Sequence, residues 1–189
     1  MTGSILQAMV RITVVAAMTI MLFACASIPF STMWKLASFN SEDLKTLNPA
    51  DIRVVVKLPE KLQFKPDKTT LDVTLTPKDA RQKVLEEHAS LMLVTQGRSV
   101  PANIPAAEQS EILYLMKLNP ELVKSFRDFQ EQLSPDMKLH YKSLAISVHI
   151  SFGNANTSDL KNLKVTVWLR MKRDEDYFLL LENAALPIK

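Results

Sequence analysis

Several stretches of the chain alternate apolar and polar residues with a period of two, the mark of a half-buried strand. In Leu144–Phe152, Leu144, Ile146, Val148, Ile150 and Phe152 share one face, and Ala145, Ser147, His149 and Ser151 share the other. In Leu163–Met171, Leu163, Val165, Val167, Leu169 and Met171 point one way, opposite Lys164, Thr166, Trp168, Arg170 and Lys172. Leu71–Thr76 and Glu111–Leu118 alternate as well, and so does Ile52–Leu58 with Val55 as the exception. Tyr177–Glu182 is apolar on both faces. Residues 77–96 carry two patterns. Ala80, Val84, Leu85, Leu91 and Met92 fit a helical face, but Leu91–Thr95 is apolar on all sides, as in a strand buried within a sandwich. We read a strand over about 87–95, since long-range sheet pairing overrides local propensity.

Period 3.6 appears clearly once. Leu122, Phe126, Phe129 and Leu133 fall on one helical face. Asn119 is placed to cap that helix, Pro120 to take its first position and Glu121 to meet the positive end of its dipole. Ser41–Leu47 reads as a short helix ended by Asn48-Pro49. Gln96–Ser110 holds Pro101 and Pro105 and no period, so it reads as a long loop. About seven strands with one amphipathic helix define a mainly β (α+β) fold. The expected form is an antiparallel, sandwich-like sheet domain with the helix covering one edge or opening.

The first residues follow a different rule. Arg11 precedes an uncharged run, Ile12–Ala24, that is shorter than the about 20 residues a spanning helix needs. It ends in Leu22-Phe23-Ala24-Cys25. This stretch resembles a bacterial lipoprotein signal peptide with its lipobox, although Phe23 stands where a smaller residue is usual. The resemblance implies that residues 1–24 form a cleaved leader, that Cys25 is acylated, and that residues 25–40 tether a single domain, 41–189, to a membrane. By the sorting rule of such lipoproteins, Ala26 implies the periplasmic face of the outer membrane. Two rivals stay open. Ala24-Cys25-Ala26 is itself an A-x-A-like site that would release a soluble periplasmic protein. An uncleaved apolar run reaching Phe30 would be a marginal membrane anchor. Met33-Trp34 and the strand entry Asn48-Pro49-Ala50-Asp51-Ile52-Arg53-Val54 are also similar to features of a group of bacterial exported proteins without assigned activity.

Composition narrows the chemistry. The chain has 23 Lys+Arg against 20 Asp+Glu, a formal net charge of +3, and of these charged residues only Arg11 lies in the leader. That balance gives no electrostatic footprint for nucleic acid. Cys25 is the only cysteine, so no disulfide frames the domain. Only Gly97 and Gly153 follow the leader; neither a Gly-rich phosphate loop nor a G-x-S-x-G elbow is present.

Candidate chemistry is sparse. The histidines, His88, His140 and His149, have no close spacing of the kind zinc ligands show, and they read as polar-face side chains. Ser147-x-His149-x-Ser151 sets a base between two hydroxyls, with nothing to mark an oxyanion hole. Asp174-Glu175-Asp176 and Asn154–Asp159 lack the spacing and glycine of a calcium loop. No metal or other cofactor is expected. Trp168 is the anomaly: it sits on the polar face of its strand, near Lys164, Arg170 and Lys172. Either the helix or a neighbouring strand covers it, or it anchors a cationic aromatic surface for a partner or for anionic head groups. Such a surface would take in Trp168, Arg170, Lys164 and the loop with Pro101 and Pro105.

The expected function is therefore a binding or assembly module. Its partners would be the membrane, through acylated Cys25, and an envelope protein. The competing expectation is an envelope hydrolase whose site is assembled from distant residues.

Overall fold

The computed structural model describes residues 41–100, 103–133, 140–153 and 163–185. The leader with Cys25, the tether, Pro101 and the segment Asn154–Asp159 lie outside the described residues. The described residues begin with helix α1 (Ser41–Thr46) and a 3-10 turn at Pro49–Asp51. Strands β1 (Arg53–Pro59), β2 (Thr70–Pro77), β3 (Leu85–Gly97) and β4 (Glu111–Leu118) follow. Helix α2 (Pro120–Glu131) precedes β5 (Tyr141–His149), β6 (Lys164–Arg170) and β7 (Phe178–Ala185).

The seven strands pair antiparallel in the order β5-β2-β3-β4-β1-β6-β7. The expectation of a mainly β, seven-stranded antiparallel domain holds. In place of two stacked sheets there is one sheet, curled into a half-barrel. Strand β3 makes the corner. Its residues Leu85–Ser90 pair with β2, and Leu91–Gly97 pair with β4. The handover is marked by the Leu91 N–H donating to the Thr69 carbonyl at 2.8 Å and the Asn119 N–H donating to the Ser90 carbonyl at 3.0 Å. A strand that leaves one neighbour for another in mid-course is how a sheet turns a corner.

Curling gives the sheet a concave inner face, and the large core lies there. Val54, Val56 and Leu58 of β1 meet Leu71, Val73 and Leu75 of β2, with Met116 of β4 and Val165, Val167 and Leu169 of β6. The apolar face read from each alternating stretch is the one turned to this core, because period two sends every second side chain the same way. The apolar residues of β5, an outermost strand, are only half-buried against this core.

Helix α2 packs against the inner core. Asn119 caps it, its Oδ1 accepting from the Glu121 N–H at 3.1 Å, with Pro120 at the first position. Phe126, Phe129 and Leu133 of the predicted stripe are buried in the inner core, where the half-buried Val123 packs beside them in place of Leu122. The Ser125 hydroxyl donates to Glu87 Oε1 at 2.9 Å and so holds the helix to β3. Gln130 is buried; its Nε2 donates to the carbonyls of Leu44 at 2.6 Å and Leu47 at 2.8 Å. Those two groups at the end of α1 have lost water, and the amide replaces it.

The expectation for Leu91–Thr95 is overturned in part. Leu91 is buried, but Met92, Leu93 and Val94 are 39%, 37% and 49% exposed. Beyond the corner β3 pairs only with β4, so this stretch has no second strand beside it among the described residues. The register also slips between Leu93 and Thr95, leaving Val94 as the extra residue of a bulge.

Candidate functional site

The outer face of the sheet is where the sequence anomalies collect. Val55, Leu113, Leu115 and Trp168 all project there, and a second, smaller core forms over them from Val100, Ile104 and Tyr177, with Ala107 and Leu179 at its margin. The loop between β3 and β4 is therefore a packed roof. The Ala107 N–H donates to the Arg98 carbonyl at 2.8 Å, and Arg98 Nη2 donates to the Gln109 carbonyl at 2.8 Å. Asn103 pins the roof to the start of β7. Its Nδ2 donates to the Tyr177 carbonyl, and the Tyr177 N–H donates to its Oδ1, each at 3.2 Å.

Trp168 is thus 9% exposed, and the reading of it as an exposed anchor gives way. It is covered, but by the loop and Tyr177 rather than by α2 or a neighbouring strand. The physical reason is that a loop rich in small and apolar residues can bury itself on a sheet face that would otherwise be wet. The other residues of the expected surface do not gather. Lys164 is exposed at the far end of β6, opposite Ala185. It stands about 20 Å along the strand from Arg170 at ordinary strand rise. Pro105 is exposed on the roof. Lys172 pairs with Asp43 at 3.7 Å and Glu175 at 3.6 Å.

Arg170 is half-buried, with its guanidinium carbon 5.0 Å from the centre of the Tyr177 ring. Its strand neighbour on β1 is Arg53, and the neighbour of Arg53 on β4 is Lys117. Directly paired residues point to the same face, so Arg170, Arg53 and Lys117 form one row of cations on the outer face. Arg53 Nη1 donates to the carbonyls of Ala50 and Ile52, both at 2.7 Å. Burial pushes the Tyr177 hydroxyl above its ordinary pKa, and the charges of Arg170 and Arg53 pull it part of the way back.

A second cluster lies across β3, β2 and β5. Asp72 pairs with His88 on one side and Ser147 on the other, and Thr70 pairs with His149. Asp72 is buried at 8% exposure, with two largely exposed imidazoles approaching it. His88 Nδ1 lies 3.1 Å from Asp72 Oδ1, His149 Nε2 lies 4.0 Å from Oδ2, and Glu86 Oε2 lies 3.8 Å from His88 Nε2. The Asp72 carboxylate, 3.1 Å away, is the main cause raising the His88 pKa, with Glu86 and Glu87 adding to it against desolvation. Reading the histidines as scattered missed this meeting. Among the described residues, no three His, Cys, Asp or Glu side chains are placed to hold a metal ion. In the Ser-His-Ser pattern, the Ser151 hydroxyl is engaged in donating to the Lys68 carbonyl at 2.8 Å, a tie between the segment after β5 and the turn before β2. The Asp174–Asp176 segment is a turn, closed by the Glu175 N–H donating to the Lys172 carbonyl at 3.3 Å.

No family model, no curated protein and no solved structure matches this chain. Among the described residues no helix is long and apolar enough to cross a membrane.

Proposed function

We propose that this chain is an envelope lipoprotein, held through acylated Cys25 at the periplasmic side of the outer membrane, whose sheet domain is a binding or assembly module. Residues 1–24 are then the leader and 25–40 the tether. The lipid anchor is supported by Leu22-Phe23-Ala24-Cys25 following a short apolar core. The observation that carries the binding role is the second half of β3. Leu91–Gly97 has no charged side chain, exposes Met92, Leu93 and Val94, and pairs on one side only among the described residues. Natural edges of this kind are usually guarded by charge or proline. Here Pro66 and Asp67 stand beside only the first residues of the edge, Leu91–Leu93, and the stretch beyond them suits strand addition, in which backbone hydrogen bonds supply affinity and alternate side chains supply specificity. The partner chemistry that fits is an extended, uncharged segment of an envelope protein, kept short by the bulge at Val94.

Both halves are testable in cells making the full chain. Cys25→Ser should abolish fatty-acid labelling and release the protein from the membrane fraction; equal labelling in the variant removes the anchor. A photo-crosslinking amino acid at Leu93 should give a discrete adduct that the same group at the exposed Arg173 does not, and Val94→Pro should erase it. Identical adducts at both positions, or none, would sink the edge as the contact.

A further inference from the structure

We propose that the row Arg170–Arg53–Lys117 on the outer face is a binding site for a phosphate group. Arg53 stands directly opposite Arg170 on one side and Lys117 on the other. Strands lie 4.7–4.9 Å apart, so three cations occupy about 10 Å. Like charges directly opposite one another destabilise a sheet. All three residues are only partly exposed, so water screens them less than it screens a surface lysine.

Several of the domain's other cations are met by carboxylates, while, among the described residues, exposed ones such as Lys61 and Lys83, and the half-buried Lys65, are not. Lys57 meets Glu111 at 3.3 Å, Arg98 meets Glu60 at 3.9 Å, Lys124 meets Asp128 at 2.9 Å and Lys172 meets Asp43 at 3.7 Å. No ion pair among the described residues involves Arg53, Lys117 or Arg170. Moreover, Arg170 Nε is shielded from solvent and donates to no acceptor. A buried donor left unmade is costly, so the Arg170 side chain is held here at some expense, and a ligand arriving from solvent would meet its outer guanidinium nitrogens and not Nε.

The groups are also held in place. The Tyr177 ring supports the Arg170 guanidinium at 5.0 Å, and Tyr177 is itself pinned by Asn103. The carbonyls of Ala50 and Ile52 hold one nitrogen of Arg53, so the rest of that guanidinium keeps a fixed aim. These bonds explain why Arg53 sits at the start of β1. They do not explain why its neighbours on both sides are cations. Two planar guanidinium forks and an ammonium match the several oxygens and the charge of a phosphate. A carboxylate, with one charge and two oxygens, would leave part of the row unanswered. The phosphate can come from a lipid headgroup or from a soluble phosphate compound; the site chemistry is the same. The proposal is independent of the Cys25 anchor and of the β3 edge.

The test uses the untagged full chain in a neutral detergent at constant ionic strength. Inorganic phosphate, short-chain phosphatidylglycerol and short-chain phosphatidylcholine are titrated separately while the unfolding midpoint and the heat of binding are followed. A saturable rise with phosphate, phosphatidylglycerol or both is expected, and the arm that responds identifies the source. Arg170→Gln and Lys117→Gln should each weaken binding at least about tenfold, the loss expected for one charge-assisted hydrogen bond. Lys164→Gln, on the same strand but far from the row, should leave binding unchanged. If Arg170→Gln does not fold, Lys117→Gln carries the test. No saturable response in any arm, a response to phosphatidylcholine equal to that to phosphatidylglycerol with none to inorganic phosphate, or binding undiminished in Lys117→Gln overturns the site.

Discussion

Asn103 and Tyr177 exchange two hydrogen bonds, each of 3.2 Å, from positions 74 residues apart in the chain. The amide side chain acts as one more rung of a sheet ladder, offering its donor and acceptor to the backbone at the start of β7. It also sets the roof over Trp168, because Asn103 adjoins Ile104, which packs in the outer core. Asn103→Ala strands a backbone N–H and a carbonyl at Tyr177. The expected loss is about 1–3 kcal/mol. In a Trp34→Phe background, acrylamide should quench the remaining Trp168 fluorescence more strongly. Unchanged quenching would mean that the loop stays closed without this tie.

Trp168 carries the larger stake. It is packed among Val55, Val100, Ile104, Leu113, Leu115 and Tyr177. Trp168→Ala should therefore cost about 3–5 kcal/mol in denaturant unfolding. A loss below about 1 kcal/mol, the range of ordinary surface changes, would return this residue to the role of an exposed contact.

The sequence displayed the symptom of this second core without its cause. Val55 and Trp168 both break the alternation of their strands, and both are buried under the same loop. Period two reports which residues share a face, but not what comes from a distant segment to cover it. The inner face was legible for that reason, and so was α2, whose cap, proline and stripe are all local. The corner in β3 was not. The apolar run at Leu91–Val94 reads as buried, and only the switch of partner at Ser90 and Leu91 exposes it. The cation row and the Asp72 cluster were hidden because each depends on register between strands far apart in sequence. Arg53, Lys117 and Arg170 look like unrelated strand-end cations until β1 is laid between β4 and β6.

Gln130 supplies a third prediction. Its amide is the donor for the carbonyls of both Leu44 and Leu47, at 2.6 Å and 2.8 Å. Gln130→Met keeps the volume and removes both bonds, at an expected cost of about 2–4 kcal/mol. The change should be felt first in α1, so amide exchange should accelerate at Leu44–Leu47 before it does in β1 or β4. Uniform acceleration across the sheet would mean that Gln130 supports the whole core and not the docking of α1.

The last prediction concerns acid. His88 is raised above its ordinary pKa of 6.5, chiefly by the adjacent Asp72 carboxylate, with Glu86 and Glu87 acting the same way and desolvation opposing. These are the charged groups that face it from β2 and β3; across β2, His149 of β5 approaches the other Asp72 oxygen at 4.0 Å. A group whose folded pKa lies above its unfolded value binds its proton more tightly in the folded state. Its contribution is fully present below about pH 6.5 and fades as pH rises through the higher folded value. The domain should thus gain stability from His88 on acidification from mild alkali to just below neutrality, with the carboxylates still ionised. His88 is largely exposed, so solvent and salt screen the effect, which should shrink at high ionic strength. The measurement is the unfolding midpoint against pH for the full chain and for His88→Gln. The difference between them should be largest at the acid end of that window and vanish at its alkaline end. A difference that stays flat with pH would show that His88 contributes packing alone, and one that grows with pH would reverse the sign of its coupling to Asp72.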